Sequence, residues 1–591
     1  MERQINTPQP ASVPPQPHGH DTAYQQYEPY QQYEQYGEYQ QYEEYQPYPS
    51  YEQPDAVLGE EHWSAPEEDF DDEVIPPPQA PSYEIPDVPD VSWESDHSNR
   101  RSWIGRLLLL GVLVIQAALS LRLHNTAYQD EALYLYAGHQ EIEHLLHGTV
   151  LTTDYNSYFS GSPWLYPVLA GAVDMEFGLR GARLLSLFFM LSVTALLYSM
   201  TRRLFNERVA ICAAGVFAVL QSTIVMGYYA TYDSAAVLLI ALAAWLVVRL
   251  SRAPAVAVLL AAPLAVLSVG VKYASALFLP TLVVLAVLSA WPHRGSRALL
   301  RGVTLALGSG ALLALGLKFT NVMAGVQATT TERAQGTESA LSILTKSGEW
   351  GGLAFAMACI GAVSFVRRER MNEVPTEQEA KTRRLWRLAL AVLLCGSALL
   401  APAYQVHLHT SVSLFKHLGF GLFFAAPMAG LGITRLVGAH FRQPQLGILV
   451  WVVMLALGIS QSTWRYDTWP NSNQLITVLS QHVNSKGRYL TEPDNVPLYY
   501  LQDSTSSSQW TNTYGIGYMN PKGVMEHGNA GYQAAVENGY FDLIVLDGIT
   551  TPATDKVISA AILSGGKYRL IARLPFTTVS GPGAYQVFVK E

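Results

Sequence analysis

WIGRLLLLGVLVIQAALSLRL, residues 103–123, is an apolar run of the length that carries a helix across a bilayer. No signal peptide precedes it, and Arg100 and Arg101 stand just before it, which favours an N-terminus in the cytoplasm. Further along, apolar stretches follow at roughly 182–201, 209–227, 235–250, 255–271, 274–291, 299–318, 350–366, 385–403, 419–435 and 445–461, so the chain is expected to cross about eleven times. An odd count with the N-terminus inside leaves the C-terminus outside.

The charges between the runs test this register independently. The loops expected inside are RRLFNER (202–208), RLSRAP (249–254), WPHRGSR (291–297), the segment from VRRER to KTRRLWR (366–387) and RLVGAHFR (435–442), all rich in arginine. Those expected outside carry few, as the positive-inside rule requires, and a shift of one span would invert the pattern. SPWLYPVLAGAVDMEFG (162–178) is apolar but short and broken by acids, so it reads as a juxtamembrane or re-entrant helix on the outer side.

Two flanks differ from this body. Of the 48 acidic and 38 basic residues, 22 acids but only Arg3 fall before Arg100, so an acidic tail precedes a basic remainder. Residues 1–99, rich in Pro, Gln, Glu and Tyr, cannot bury enough apolar surface to offset their chain entropy and are expected to be disordered. Within them tyrosine recurs at every third position from Tyr24 to Tyr51, a period that would align the rings on one edge of a polyproline-II helix. This reads either as a low-complexity solvated tail or as a strip for self-association or for docking a cytoplasmic partner. Beyond residue 461 the chain turns polar, with strand-like FDLIVLD (541–547), YRLIARL (568–574) and YQVFVKE (585–591) and a helical TDKVISAAILSG (554–565). The expected fold is therefore mainly α: a disordered tail (1–99), a polytopic membrane domain (100–461) with outer juxtamembrane helices, and a small α/β domain outside the membrane (462–591).

The outer loops hold an uneven share of reactive side chains. AYQDEALYLYAG (127–138) presents Asp130 and Glu131 beside Tyr128, and GYYATYDSAA (227–236) presents Asp233 behind Tyr232. Lys272 falls in a tight outer turn, and HLHTSVSLFKHLGFG (407–421) brings Lys416 and His417 to the outer end of another span. Ionisable groups at a membrane edge are costly enough to be functional candidates, although solvated loop charges and snorkelling lysines also occur there. HQEIEH (139–144) spaces His139, Glu143 and His147 for a metal on a helix, yet a solvated amphipathic face accounts for it better. No metal ligand is therefore assigned, and a divalent cofactor is left open. Cys212, Cys359 and Cys395 lie in apolar runs without metal-like spacing and read as small buried hydrophobes. The sequence holds no P-loop, dinucleotide fingerprint or hydrolase elbow in its required context, and no nucleic-acid partner is expected.

The order of three features resembles the GT-C superfamily of membrane glycosyltransferases, particularly the branch of protein O-mannosyltransferases and the lipid A aminoarabinose transferase. They are YQDEALYLYAG soon after the first span, SPWLYP with GLRGARLLSLFFMLSVTALLYSMTRRLF, and GYYATYDSAAVLLIALAAWLVVR. The resemblance implies transfer of a sugar from a polyprenyl-phosphate carrier to an extracytoplasmic acceptor, with inversion if the displacement is single and in line. It further implies that Asp130 is the first-loop catalytic aspartate, that Asp233 is the acid of the second outer loop, and that Lys272 meets the carrier phosphate. FKHLGFG departs from the arginine-tyrosine-proline pattern usual at its position; Lys416 and His417 are expected to support the phosphate there. Glu131 is assigned to orientation or sugar contact, and Tyr128 and Tyr232 to stacking on the sugar. The competing readings are a transporter or flippase, and a non-catalytic membrane scaffold with a tyrosine-rich docking tail.

Overall fold

The computed structural model describes residues 99–333, 335–367, 377–438 and 442–591. The expected disordered tail and its tyrosine strip lie outside the described residues. Among the described residues, fifteen α-helices make up the body. They are α1 (Asn99–Ser120), α2 (Gln129–His147), α3 (Tyr166–Leu204), α4 (Glu207–Ala218), α5 (Gln221–Met226), α6 (Tyr232–Arg249), α7 (Ala262–Val271), α8 (Leu279–Arg294), α9 (Leu299–Phe319), α10 (Met323–Thr329), α11 (Ala340–Arg367), α12 (Glu377–Ser397), α13 (Leu400–His407), α14 (Leu414–Val437) and α15 (Pro444–Tyr466).

Each apolar run falls on helix, but among the described residues seven helical segments are long and apolar enough to cross a membrane, against the expected eleven or so. The differences have local causes. The 209–227 run is broken between α4 and α5, and the 255–271 run opens with a 3-10 stretch before α7. Residues 273–319 form one apolar segment of 47 residues that holds both α8 and α9, with Gly295 (φ 54°) between them. The 385–403 run is bent by 48° between α12 and α13, and counting that pair as one span raises the total to eight. The juxtamembrane helix expected at 162–178 is the first part of α3, set off from the rest at Gly178 by φ 63°, ψ −175°.

Packing places α2 against α3 through two glycines. A Cβ on Gly138 would lie 2.0 Å from the carbonyl oxygen of Pro167, and one on Gly171 would lie 3.0 Å from Gly138 Cα, so the backbones touch where a side chain would part them. The sheared-off space is small, and the contact sets how deeply the first turn of α2 sits among its neighbours. α14 is buried along nearly its whole length, from Leu414 to Ile433, which explains why its one lysine and one histidine are enclosed.

The C-terminal elements are α16 (Asn473–Leu479), β1 (Tyr489–Thr491), α17 (Asn495–Tyr500), β2 (Trp510–Thr511), β3 (Gly517–Met519), β4 (Met525–His527), α18 (Gly528–Glu537), β5 (Leu543–Leu546), α19 (Pro552–Gly565), β6 (Tyr568–Thr578) and β7 (Gly581–Lys590). The main sheet has order β2-β1-β5-β7-β6, parallel across β2, β1 and β5 and antiparallel beyond. The strands and helix expected at 541–591 are β5, β6, β7 and α19. β1 to β4 are two or three residues long, too short for a period-two pattern to stand out. Hydrogen bonds tie this region to the start of α2. The Ala127 N–H donates to Tyr500 Oη at 2.8 Å, the Trp469 indole to the Thr126 carbonyl at 3.0 Å, and the Ser472 N–H to Thr126 Oγ1 at 3.1 Å.

Candidate active site

Asp130 occupies the first turn of α2 and Asp233 the first turn of α6, helix ends where unpaired N–H groups and the macrodipole favour a carboxylate. Lys272 lies between α7 and the 3-10 turn that begins at Tyr273, and Lys416 lies in the first turn of α14. Four segments far apart in sequence thus converge on one point. Lys416 Nζ stands 3.0 Å from Asp130 Oδ2 and 3.3 Å from Asp233 Oδ2, while Lys272 Nζ pairs with Asp233 Oδ1. All four side chains are buried, with Lys272 and Lys416 each 3% exposed. Two anions and two cations neutralise one another, and a buried set of charges is tolerable only in that condition.

Within the balanced set, Asp130 is the unsaturated member. Its Oδ1 is enclosed with neither a hydrogen bond nor an ion pair, whereas Asp233 Oδ1 is paired with Lys272 and Asp233 Oδ2 also accepts from Thr231 Oγ1 at 3.0 Å. Burial pushes the Asp130 carboxyl above its ordinary range, and the Lys416 ammonium draws it back. Around the charges, Tyr232 accepts a hydrogen bond at 2.6 Å from Tyr134 and pairs with Ser160, and the Lys272 ammonium lies 4.8 Å from the Tyr232 ring centroid. Tyr128 has its ring 5.0 Å from that of Trp469 and 5.7 Å from that of Tyr229, and it too lies close enough to act on the Lys416 ammonium. His417 is buried, with Nδ1 3.3 Å from Gln405 Nε2 and Nε2 unpaired.

Glu131 does not join this cluster. Its Oε1 accepts from Arg183 Nε at 2.8 Å and from the Ala230 N–H at 2.9 Å; its Oε2 accepts from Arg183 Nη2 at 2.6 Å and from the Tyr128 N–H at 2.9 Å. Every lone-pair direction is taken, so no oxygen is left to meet a substrate. Arg183, 3% exposed, also donates to the carbonyls of Asn125 and Thr126 at 2.8 and 3.1 Å. Sequence reasoning gave Arg183 no role; its signal was a lone arginine inside an apolar run.

The histidine and glutamate spacing of 139–147 does not form a ligand set. His139 Nε2 pairs with Asp174 at 3.0 Å and Nδ1 with Gln502 at 2.8 Å, while Glu143 and His147 form an exposed pair at 3.8 Å. Among the described residues, the group able to hold a metal is Glu492, Asp547 and Asp555, whose oxygens lie within 4.8 Å of one another. Glu492 follows β1, Asp547 follows β5 and Asp555 is in the first turn of α19, so the group sits at the carboxyl ends of parallel strands. Backbone amides of Ile549, Thr550, Thr551 and Gly548 donate to these carboxylates at 2.7 to 3.0 Å. Burial raises Asp555 to about 7 and pushes Glu492 well above the usual carboxylate range, with the charge of Asp547 adding to both.

Residues 169–315 match the family described as dolichyl-phosphate-mannose-protein mannosyltransferase. No curated protein matches the chain. The structure is similar to that of ArnT from Cupriavidus metallidurans bound to undecaprenyl phosphate, with a TM-score of 0.52 and 15% identity over 82% of this chain and 98% of that one. It is also similar to the oligosaccharyltransferase of Archaeoglobus fulgidus in its apo form, with a TM-score of 0.50 and 11% identity over 82% of this chain and 75% of that one. At such identities the likeness is one of fold, and by that fold, with the matched segment inside it, the chain resembles the GT-C glycosyltransferases.

Proposed function

We propose that the chain is a membrane glycosyltransferase that moves a sugar from a polyprenyl-phosphate carrier to an acceptor on the extracytoplasmic face, with the N-terminus in the cytoplasm and the C-terminal region outside. The observation that carries the reading is the buried Asp130–Lys416–Asp233–Lys272 network, in which Asp130 keeps one oxygen unpaired. The carrier class is supported by the undecaprenyl phosphate bound in the Cupriavidus structure.

Charge balance suggests how the network works. A phosphodiester entering a set that is already neutral must draw a lysine to itself. Lys416 is the one shared between two carboxylates, so its ammonium can turn to the phosphate while Lys272 stays with Asp233. Asp130 then loses its counter-ion and becomes a stronger base beside an acceptor hydroxyl. As the bond from the anomeric carbon to the phosphate oxygen breaks, negative charge grows on that oxygen and the Lys416 ammonium meets it, shielded from water. The acceptor oxygen attacks from the opposite face, its proton passes to Asp130, and the sugar inverts its configuration. Glu131 takes no part in these transfers and acts as a positioning residue through Arg183.

The test is Asp130→Asn in purified full-length protein supplied with a polyprenyl-phosphate-linked sugar. Lys416 retains Asp233 in that variant but the set carries one excess buried cation, so transfer is compared per folded molecule, with folding checked by thermal unfolding, and should fall by about 10²–10⁴-fold. Undiminished transfer would remove Asp130 from the role of base. The anomeric configuration of the product, read by proton coupling constants, separates one displacement from two.

A further inference from the structure

At the other end of the bundle the chain gathers arginines. α6 carries Asp233 in its first turn and Arg249 in its last, about 24 Å apart along the axis. Near Arg249 lie Arg203 at the end of α3, Arg252 in the turn after α6, Arg294 at the end of α8 and Arg301 in the first turn of α9. Arg203 feels the charges of Arg249, Arg252 and Arg202, and Arg301 feels that of Arg294. One carboxylate here has a definite partner: Glu207, 2.7 Å from Arg202.

Arg301 distinguishes this cluster from an ordinary arginine-rich loop. It is fully buried, and although Nη1 donates to the Ala253 carbonyl at 2.8 Å, its Nε and Nη2 are enclosed with no acceptor. Arg294, half-buried over it, donates from Nη2 to the Arg252 carbonyl at 2.6 Å and also leaves Nε without one. Burying charged donors unsatisfied is expensive. The two guanidinium groups present unpaired N–H donors of the kind that take phosphate oxygens in a fork. The residues beside Arg301 settle what carries the phosphate: Leu299, Leu300 and Val303 are each more than half exposed, an apolar wall suited to acyl chains.

We propose that Arg252, Arg294 and Arg301 bind the phosphate of an anionic membrane lipid, with its chains along the start of α9. The headgroup enters when the Arg294 side chain swings aside by a rotamer change and exposes the orphaned nitrogens of Arg301. Basic pockets between helices at a membrane surface recognise such headgroups, and each arginine contributes on the order of a fivefold change in affinity. This site is independent of the sugar-transfer reading.

The experiment uses full-length protein, delipidated in neutral detergent and re-supplied with phosphatidylglycerol, phosphatidylcholine or inorganic phosphate, with bound lipid counted by native mass spectrometry and stability followed by thermal unfolding. Wild type should retain phosphatidylglycerol over phosphatidylcholine and be stabilised by it, and inorganic phosphate should not reproduce the effect. The double variant Arg252→Gln/Arg294→Gln should bind phosphatidylglycerol roughly 25-fold more weakly, about fivefold for each arginine. Arg301→Gln should abolish the lipid-dependent stabilisation; if it fails to fold, the double variant decides. Arg383→Gln/Arg384→Gln, at exposed positions of α12, should retain the lipid. Equal retention in the first double variant and wild type, an equal loss in the α12 variant, or equal stabilisation by inorganic phosphate would each overturn the proposal.

Discussion

Asp130 and Glu131 are adjacent in sequence and opposite in circumstance. Asp130 shares a lysine with another acid and keeps a free oxygen, while Glu131 has all its acceptor capacity consumed by Arg183 and two backbone amides. Their substitutions should therefore fail in different ways. Arg183→Met leaves a buried carboxylate without its partner and should cost about 3–5 kcal/mol of stability, seen as a lowered unfolding temperature in detergent. Asp130→Asn leaves Lys416 beside Asp233, so it should lower that temperature less than Arg183→Met does while transfer collapses. If Arg183→Met unfolds normally, the Glu131 pair is not what holds the first turn of α2 in place. The acids themselves were legible in the sequence as charges at a membrane edge. Their separate duties were not, because adjacent residues on a helix point about 100° apart and only the neighbours reveal what each one meets.

At the scale of elements, α2 is the lever. It carries Asp130, and its seating depends on the backbone contact between Gly138 and the start of α3. Gly138→Ala would push a methyl group into the Pro167 carbonyl oxygen, and backbone on both sides leaves little room to yield. A stability loss of about 1–3 kcal/mol is expected, together with reduced transfer, since Asp130 moves with the helix. Gly111→Ala in α1 is the control, because nothing lies within 4 Å of the added carbon; it should be neutral or slightly stabilising. Equal effects at the two positions would mean that α2 is not seated by this contact. The helices themselves follow from apolar runs and their flanking charges. Their breaks at Gly178, at 219–220 and at 398–399 follow from packing and glycine conformations that a hydropathy window averages away.

Across the whole molecule, the C-terminal region holds the N-terminal end of α2 through Tyr500, Trp469 and Ser472, so its stability bears on the candidate site. The carboxylate group at the ends of β1 and β5 makes that stability depend on pH. Asp555, raised to about 7, and Glu492, raised well above its ordinary range, bind protons in the folded state that the unfolded chain releases near pH 4. The folded state therefore holds more protons between about pH 4 and 7, and stability falls as pH rises through that window. Thermal unfolding followed by tryptophan fluorescence should give a higher midpoint at pH 5.5 than at pH 7.5, and Asp555→Asn should flatten the difference. A midpoint that rises with pH would contradict the assignment.

Read alone, the sequence determined what is local along the chain: which stretches suit a bilayer, where arginine punctuates them, and that acids and lysines gather in loops on one side of the register. Those signals survive without contacts because hydropathy and charge act on each segment separately. The tertiary structure decided the pairings, bringing Lys416 to Asp130 across 286 positions and Arg183 to Glu131 across 52. It also separated a balanced cluster of four charges from the Arg183–Glu131 pair and left Arg301 with nitrogens unmet. These outcomes depend on which helix faces which and on what burial makes costly, and neither is written in any single segment.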